Sequence, residues 1–185
     1  MARNIEIKAR IASVEAMRSK IATLADHGPI ELLQDDTFFT CERGRLKLRA
    51  LSADEGQLIF YQRPNHTGPK ESFFVMASTS SPDTLREALS LAYGQAGRVR
   101  KHRTLYHVGR TRVHLDRVEE LGHFLELEVV LSEGERSASG VEEAHRLMAA
   151  LGIAPTQLIE GAYVDLLAQK HAGHRLHGVR QPSRG

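Results

Sequence analysis

The sequence predicts an α+β protein in which about eight mostly antiparallel strands curl into a closed β tunnel with flanking helices. Three observations carry this. Polar–apolar alternation recurs along the chain with the period of a strand. The polar faces of these segments are charged, cationic on some and acidic on others, which suits an inner surface holding a ligand better than a dry core. Between them lie stretches with apolar residues three and four apart, which are helices able to cover the strands' apolar faces.

In chain order, Asn4 to Ile11 alternates, with Asn4, Glu6, Lys8 and Arg10 on one face and Ile5, Ile7, Ala9 and Ile11 on the other. Ser13 caps a helix running to about Ala25, with Val14, Met17, Ile21 and Leu24 on one side, and Asp26-His27-Gly28-Pro29 stops it. A short strand is expected over Ile30–Leu33, then a turn beginning at Gln34-Asp35-Asp36 and leading through Thr37-Phe38-Phe39 into an extended segment. Cys41 reads as an unreactive small side chain. Gly44 to Leu51 is a strand whose polar face is purely cationic: Arg45, Lys47 and Arg49. Strands follow over Gln57–Arg63 and, after the breaker-rich loop from Pro64 to Pro69, over Lys70–Ala77.

Ser81-Pro82-Asp83 opens a second helix through Tyr93, ended by Gly94 and Gly97. The next strand, Val99–Tyr106, places Lys101 and Arg103 together; Thr111–Val118 places Arg112, His114 and Asp116 together; His123–Leu131 places Glu126 and Glu128 together. A helix over Ser139–Leu151 is closed by Gly152 and Pro155. A short last strand is expected over Thr156–Ile159 and a terminal helix over Gly161–Lys170. Residues 171–185, basic and Gly-rich, read as a disordered tail after a single domain over 1–170. Its His171, His174 and His177, three apart, have the spacing of metal ligands on a helix, but the neighbouring glycines argue against a rigid site.

Composition narrows the function. A formal charge of +2 over 185 residues points to neither nucleic acid nor membrane, and the absence of Trp with 5% aromatics gives little support to a base-stacking surface. One cysteine cannot form an intramolecular disulfide, the N-terminus carries charges where a signal peptide needs an apolar core, and no apolar run reaches membrane-spanning length. A cytoplasmic location is expected. Placed together in one channel, Arg45, Lys47, Arg49, Arg63, Lys101 and Arg103 supply cations, and Glu6, Asp116, Glu126 and Glu128 supply carboxylates. A polyphosphate with a divalent metal matches both sets: the cations pair with phosphate oxygens and the carboxylates hold the metal.

The Asn4-x-Glu6-x-Lys8 opening, the Gly44-Arg45-Leu46-Lys47-Leu48-Arg49 strand, Lys101-x-Arg103, the Asp116 strand and Glu126-x-Glu128 resemble, in order and spacing, the CYTH superfamily of triphosphate tunnel metalloenzymes. The resemblance runs from about residue 3 to residue 170. It implies a closed antiparallel tunnel, a small-molecule triphosphate as partner (ATP, thiamine triphosphate or tripolyphosphate) and Mg²⁺ or Mn²⁺ as cofactor, in a monomer or homodimer. By position it implies Glu6, Glu126 and Glu128 as metal ligands, and Asp116 as a further ligand or a residue orienting one. Lys8, Arg45, Lys47, Arg49, Arg63, Lys101 and Arg103 would line the phosphate path, with Lys8, Lys47, Arg49 and Arg103 as the catalytic cations.

Gly161 to Leu167 resembles the family's C-terminal segment near a tunnel mouth. Asn4 departs from the pattern, since relatives carry Glu there; an amide brings no charge, so a second metal should bind more weakly. The wording of Asn4–Lys8 and of Asp36-Thr37-Phe38-Phe39 is similar to bacterial class IV adenylyl cyclase-like sequences, which implies conversion of ATP to cyclic AMP and pyrophosphate. A triphosphate phosphohydrolase and a non-catalytic polyphosphate-binding module are the alternatives.

Overall fold

The computed structural model describes residues 2–177. Eight strands form one closed antiparallel ring: β1 (Ala2–Arg10), β2 (His27–Phe39), β3 (Arg45–Ala50), β4 (Gly56–Gln62), β5 (Lys70–Thr79), β6 (Gln95–Val108), β7 (Thr111–Val118) and β8 (Gly122–Val130). The order around the ring is β1-β5-β4-β3-β2-β6-β7-β8, closed by β1 pairing with β8. Four helices flank it: α1 (Val14–Ala22), α2 (Pro82–Tyr93), α3 (Ser137–Leu151) and α4 (Tyr163–His177). None of the helices among the described residues is long and apolar enough to cross a membrane.

The ring is inside out relative to an ordinary domain. Ile5, Ile7 and Ala9 of β1, Val113 and Leu115 of β7, and Leu125, Leu127 and Val129 of β8 point outward and are buried under Val14, Met17 and Ile21 of α1 and Ala144, Met148 and Leu151 of α3. The hydrophobic driving force therefore acts between the sheet's outer face and its helices. α1 starts where expected, with the Ser13 hydroxyl accepting from the Ala16 N–H, and α3 ends at Gly152 in the left-handed conformation (φ 70°).

Four local expectations change. The polar trio Gln34-Asp35-Asp36 lies mid-strand in a continuous β2, because neighbouring strands supply its partners: Arg98 forks onto Asp35 at 2.7 and 2.6 Å, and Arg49 and Lys47 hold Asp36. Turn chemistry gives way to tertiary pairing. Gly94 does cap α2, but β6 begins at Gln95 and includes Gly97, where a Cβ would meet Val164 Cγ2 at 2.5 Å; glycine permits α4 to dock there. In place of a strand over Thr156–Ile159 there is one 3₁₀ turn over Pro155–Gln157 and a single bridge from Ala9 to Leu158. Lastly, α4 continues through His177, so residues 171–177 are helical rather than part of a tail. The rest of the expected tail, 178–185, lies outside the described residues, as do the side chains of His174 and His177.

Candidate active site

Inward-pointing side chains from all eight strands enclose a cavity of about 420 Å³, within the range of small-molecule sites. The lining is mostly what period-two alternation demands once the outer faces are apolar: Glu6 and Lys8 from β1, Lys47 and Arg49 from β3, Arg63 just past β4, Lys101 and Arg103 from β6, Glu126 and Glu128 from β8.

On the wall formed by β3, β2 and β6, one carboxylate gathers the cations. Asp36 accepts from Lys47 Nζ at 2.8 Å and from Arg49 Nε and an Arg49 terminal nitrogen at 2.8 and 2.9 Å, with Lys101 Nζ at 4.0 Å. Burial pushes the Asp36 pKa up, yet Arg49 and Lys47 outweigh it and hold the carboxyl well below its usual range. The lysines yield to the same crowding. Burial and then the Arg103 charge push Lys101 down to about 7, and burial and then Arg49 push Lys47 down to about 8.

The wall formed by β7, β8 and β1 is acidic. Glu126 accepts from Arg103 at 2.9 Å and has Lys8 Nζ at 3.8 Å, while Arg112 donates to Glu128 Oε2 at 2.8 Å. His114, Glu126 and Glu128 each offer a ligand atom within 4.8 Å of the others, a donor set that fits a divalent cation. Glu6, beside them, is pushed up to about 6, first by burial and then by the charges of Glu126 and Glu128, with Arg63 at 3.5 Å the partner opposing this. Asn4 Oδ1, Gln34 Oε1 and His114 Nδ1 are buried without a hydrogen-bond partner, and all three residues line the cavity. Orphaned polar atoms facing one space mark a site shaped for a ligand and its water.

The start of α4 covers one end of the tunnel. Arg45 forks onto Asp165 at 2.9 and 2.7 Å, Arg63 donates to the Gly161 carbonyl at 2.6 Å, and the Tyr163 hydroxyl donates to Asp116 at 2.9 Å. Lys8 Nζ sits 4.0 Å from the centre of the Tyr163 ring.

Of the sequence-predicted residues, Glu6, Lys8, Lys47, Arg49, Arg63, Lys101, Arg103, Glu126 and Glu128 come together on one cavity. Arg45 and Asp116 are not among its lining residues. Arg45 fastens α4. Asp116, 0% exposed, sits directly across from Arg103 on the neighbouring strand and accepts from its Nε and one terminal nitrogen at 2.7 Å each, so it orients an arginine. Sequence reasoning gave no role to Asp36, Arg112, His114 or Tyr163. Asp36 was hidden by its turn-like neighbours. Arg112 and His114 share a face with Asp116 in the sequence, and only the register Arg112↔Glu128 and His114↔Glu126 shows what they serve.

Comparison with known proteins agrees with this architecture. A family model described as the CYTH domain matches residues 2–163. The PH1012 protein from Pyrococcus horikoshii OT3 superposes with a TM-score of 0.78 at 23% identity, covering 88% of this chain and 98% of that one. A candidate adenylate cyclase from Vibrio parahaemolyticus gives 0.70 at 16% identity, over 89% and 97% of the two chains. A Hippeastrum protein, a candidate adenylyl cyclase with a dominant triphosphatase activity, gives 0.54 at 18% identity, over 81% and 88%. No curated protein matches the chain.

Proposed function

The chain belongs to the CYTH family, and from that premise we propose that it is a metal-dependent enzyme acting on an organic triphosphate, with ATP cyclisation as its leading reaction. The observation that carries this is the facing of two walls across one cavity, one with Lys47, Arg49 and Lys101 and the other with Glu6, Glu126 and Glu128. A bound triphosphate would take over from Asp36 part of the charge that Lys47, Arg49 and Lys101 share, and Lys8, Arg63 and Arg103 would meet its remaining oxygens. Arg103 is fixed for that task by Asp116 across from it on β7. Arg45 is left out of the phosphate path because it holds α4.

Glu126 and Glu128, with Glu6 beside them, would hold Mg²⁺ or Mn²⁺, which when bound supplies Lewis-acid neutralisation of the phosphate oxygens. Cations fixed in advance then stabilise charge as the bond breaks and hold attack in line, so no covalent nucleophile is required. In the cyclase, the ribose 3′-oxygen bonds to the α-phosphorus as its proton is lost and the α–β bridging bond breaks, releasing pyrophosphate. In a phosphohydrolase, water attacks a terminal phosphorus instead.

One observation favours an organic triphosphate over inorganic tripolyphosphate. Away from α4, the lining on one side of the cavity includes Leu32 of β2, Leu105 of β6 and Leu51 just past β3, with Arg112 and His114 of β7 beside them. These leucines offer a base or thiazolium group apolar contact that a bare phosphate cannot use. The test is a product assay against ATP, thiamine triphosphate and tripolyphosphate with Mg²⁺ and Mn²⁺ in parallel. Cyclic AMP with pyrophosphate supports the cyclase; ADP with phosphate moves the assignment to hydrolysis; fastest turnover of tripolyphosphate overturns the organic-substrate reading. Tight binding of triphosphates without turnover would reduce the protein to a polyphosphate-binding module.

A further inference from the structure

His114 is the one histidine among the residues lining the cavity, and it is only 4% exposed. Its Nδ1 has no hydrogen-bond partner, an expensive arrangement for a buried ring nitrogen unless something else meets it. The neighbouring carboxylates are arranged to leave room for that something. Arg112 engages Glu128 through Oε2, leaving Oε1 3.9 Å from His114 Nδ1. Arg103 engages Glu126 through Oε2, leaving Oε1 toward Lys8 at 3.8 Å. The three ligand atoms lie within 4.8 Å of one another, a spread that a single ion can draw together.

We propose that the His114 imidazole is a direct ligand of the tunnel's metal, making a mixed nitrogen–oxygen site with Glu126 and Glu128 that selects Mn²⁺ over Mg²⁺. Imidazole is a borderline donor that suits first-row transition ions, whereas Mg²⁺ prefers oxygen ligands and a near-ideal octahedron. The imidazole also explains how the site tolerates Asn4: a strong neutral donor on β7 compensates for the missing carboxylate on β1.

This inference rests on the metal-dependent reading above, and its test is separable because it needs neither substrate nor turnover. Mn²⁺ is added to the full chain and pulsed electron paramagnetic resonance is recorded on natural-abundance protein and on protein labelled with ¹⁵N-histidine. The expected result is a ¹⁴N modulation that changes to a ¹⁵N coupling on labelling, with no variant required. In His114→Asn the coupling disappears and the Mn²⁺ dissociation constant rises on the order of tenfold or more, while Mg²⁺ affinity changes much less. Bound Mn²⁺ with only water and carboxylate signals, or equal loss of Mn²⁺ and Mg²⁺ affinity in His114→Asn, overturns the proposal and leaves the enzyme reading standing. Absence of turnover for every triphosphate with an intact histidine coupling has the opposite meaning.

Discussion

On the wall of β3, β2 and β6 one carboxylate, Asp36, serves Lys47 and Arg49 and shares Lys101 with Asp116; on the wall of β7, β8 and β1, Glu6, Glu126 and Glu128 crowd together with His114 among them. The pKa shifts register crowding on both walls, although on the second Glu126, against its burial, is held well below the usual carboxylate range by Lys8 and Arg103. Lysines are pushed down on the first wall, and Glu6 is pushed up on the second. The backing differs too. The acidic wall rests on the packed layer beneath α1 and α3, whereas on the cationic wall β2 leaves Leu33 72% exposed on its outer face. The more fully packed support thus lies behind the residues proposed to hold a metal, as preorganisation of such a site would require.

Removing a carboxylate from the acidic wall should produce the largest effect. Glu126→Gln is expected to lower kcat on the order of 10³-fold with either metal, read in the product assay, and a residual rate near wild type would mean that this wall carries no metal chemistry. Next in size, Asp36→Asn leaves Lys47 and Arg49 facing one another without their shared partner. Unfolding by urea should show a loss of about 3 kcal/mol, and tripolyphosphate should raise the variant's Tm more than the wild type's because phosphate replaces the lost charge.

Lys47→Ala or Arg49→Ala should weaken tripolyphosphate binding by about 2 kcal/mol each in calorimetry, while leaving Mn²⁺ binding in place. The smallest effect is a pH dependence. Lys101, pushed down to about 7, is largely neutral in the free protein above that pH, and an incoming anion favours its charged form. Binding at pH 8 should take up a proton and weaken as pH rises, visible as a buffer-dependent calorimetric enthalpy; proton release there would contradict the cationic wall.

The inverted arrangement was legible in the sequence because alternation and charge occur on the same residues. Asn4, Glu6 and Lys8 share one face of β1 while Ile5 and Ile7 share the other, and only a polar interior reconciles that with apolar helices outside. What escaped was pairing between strands far apart in the chain. Asp36 looks like turn chemistry until β3 lies beside it, and Arg45 looks identical to Lys47 and Arg49 until α4 presents Asp165. Likewise His114 is one polar residue among several until β8 places Glu126 directly across from it. Local pattern specifies which face a residue occupies; register and closure decide its neighbours, and neither is written in the spacing of a single strand.

Gly97 gives the tunnel a setting from its far end. A methyl group there would strike Val164, a β-branched side chain with little freedom to swing aside, and α4 would have to ride outward. Tyr163, one residue earlier, would move with it, away from Lys8 and from the Asp116 that steadies Arg103. The depth of the chamber is thus calibrated by an absent side chain, so that a change one carbon atom in size, at a position bearing no charge, would be felt by the groups proposed to meet the phosphates.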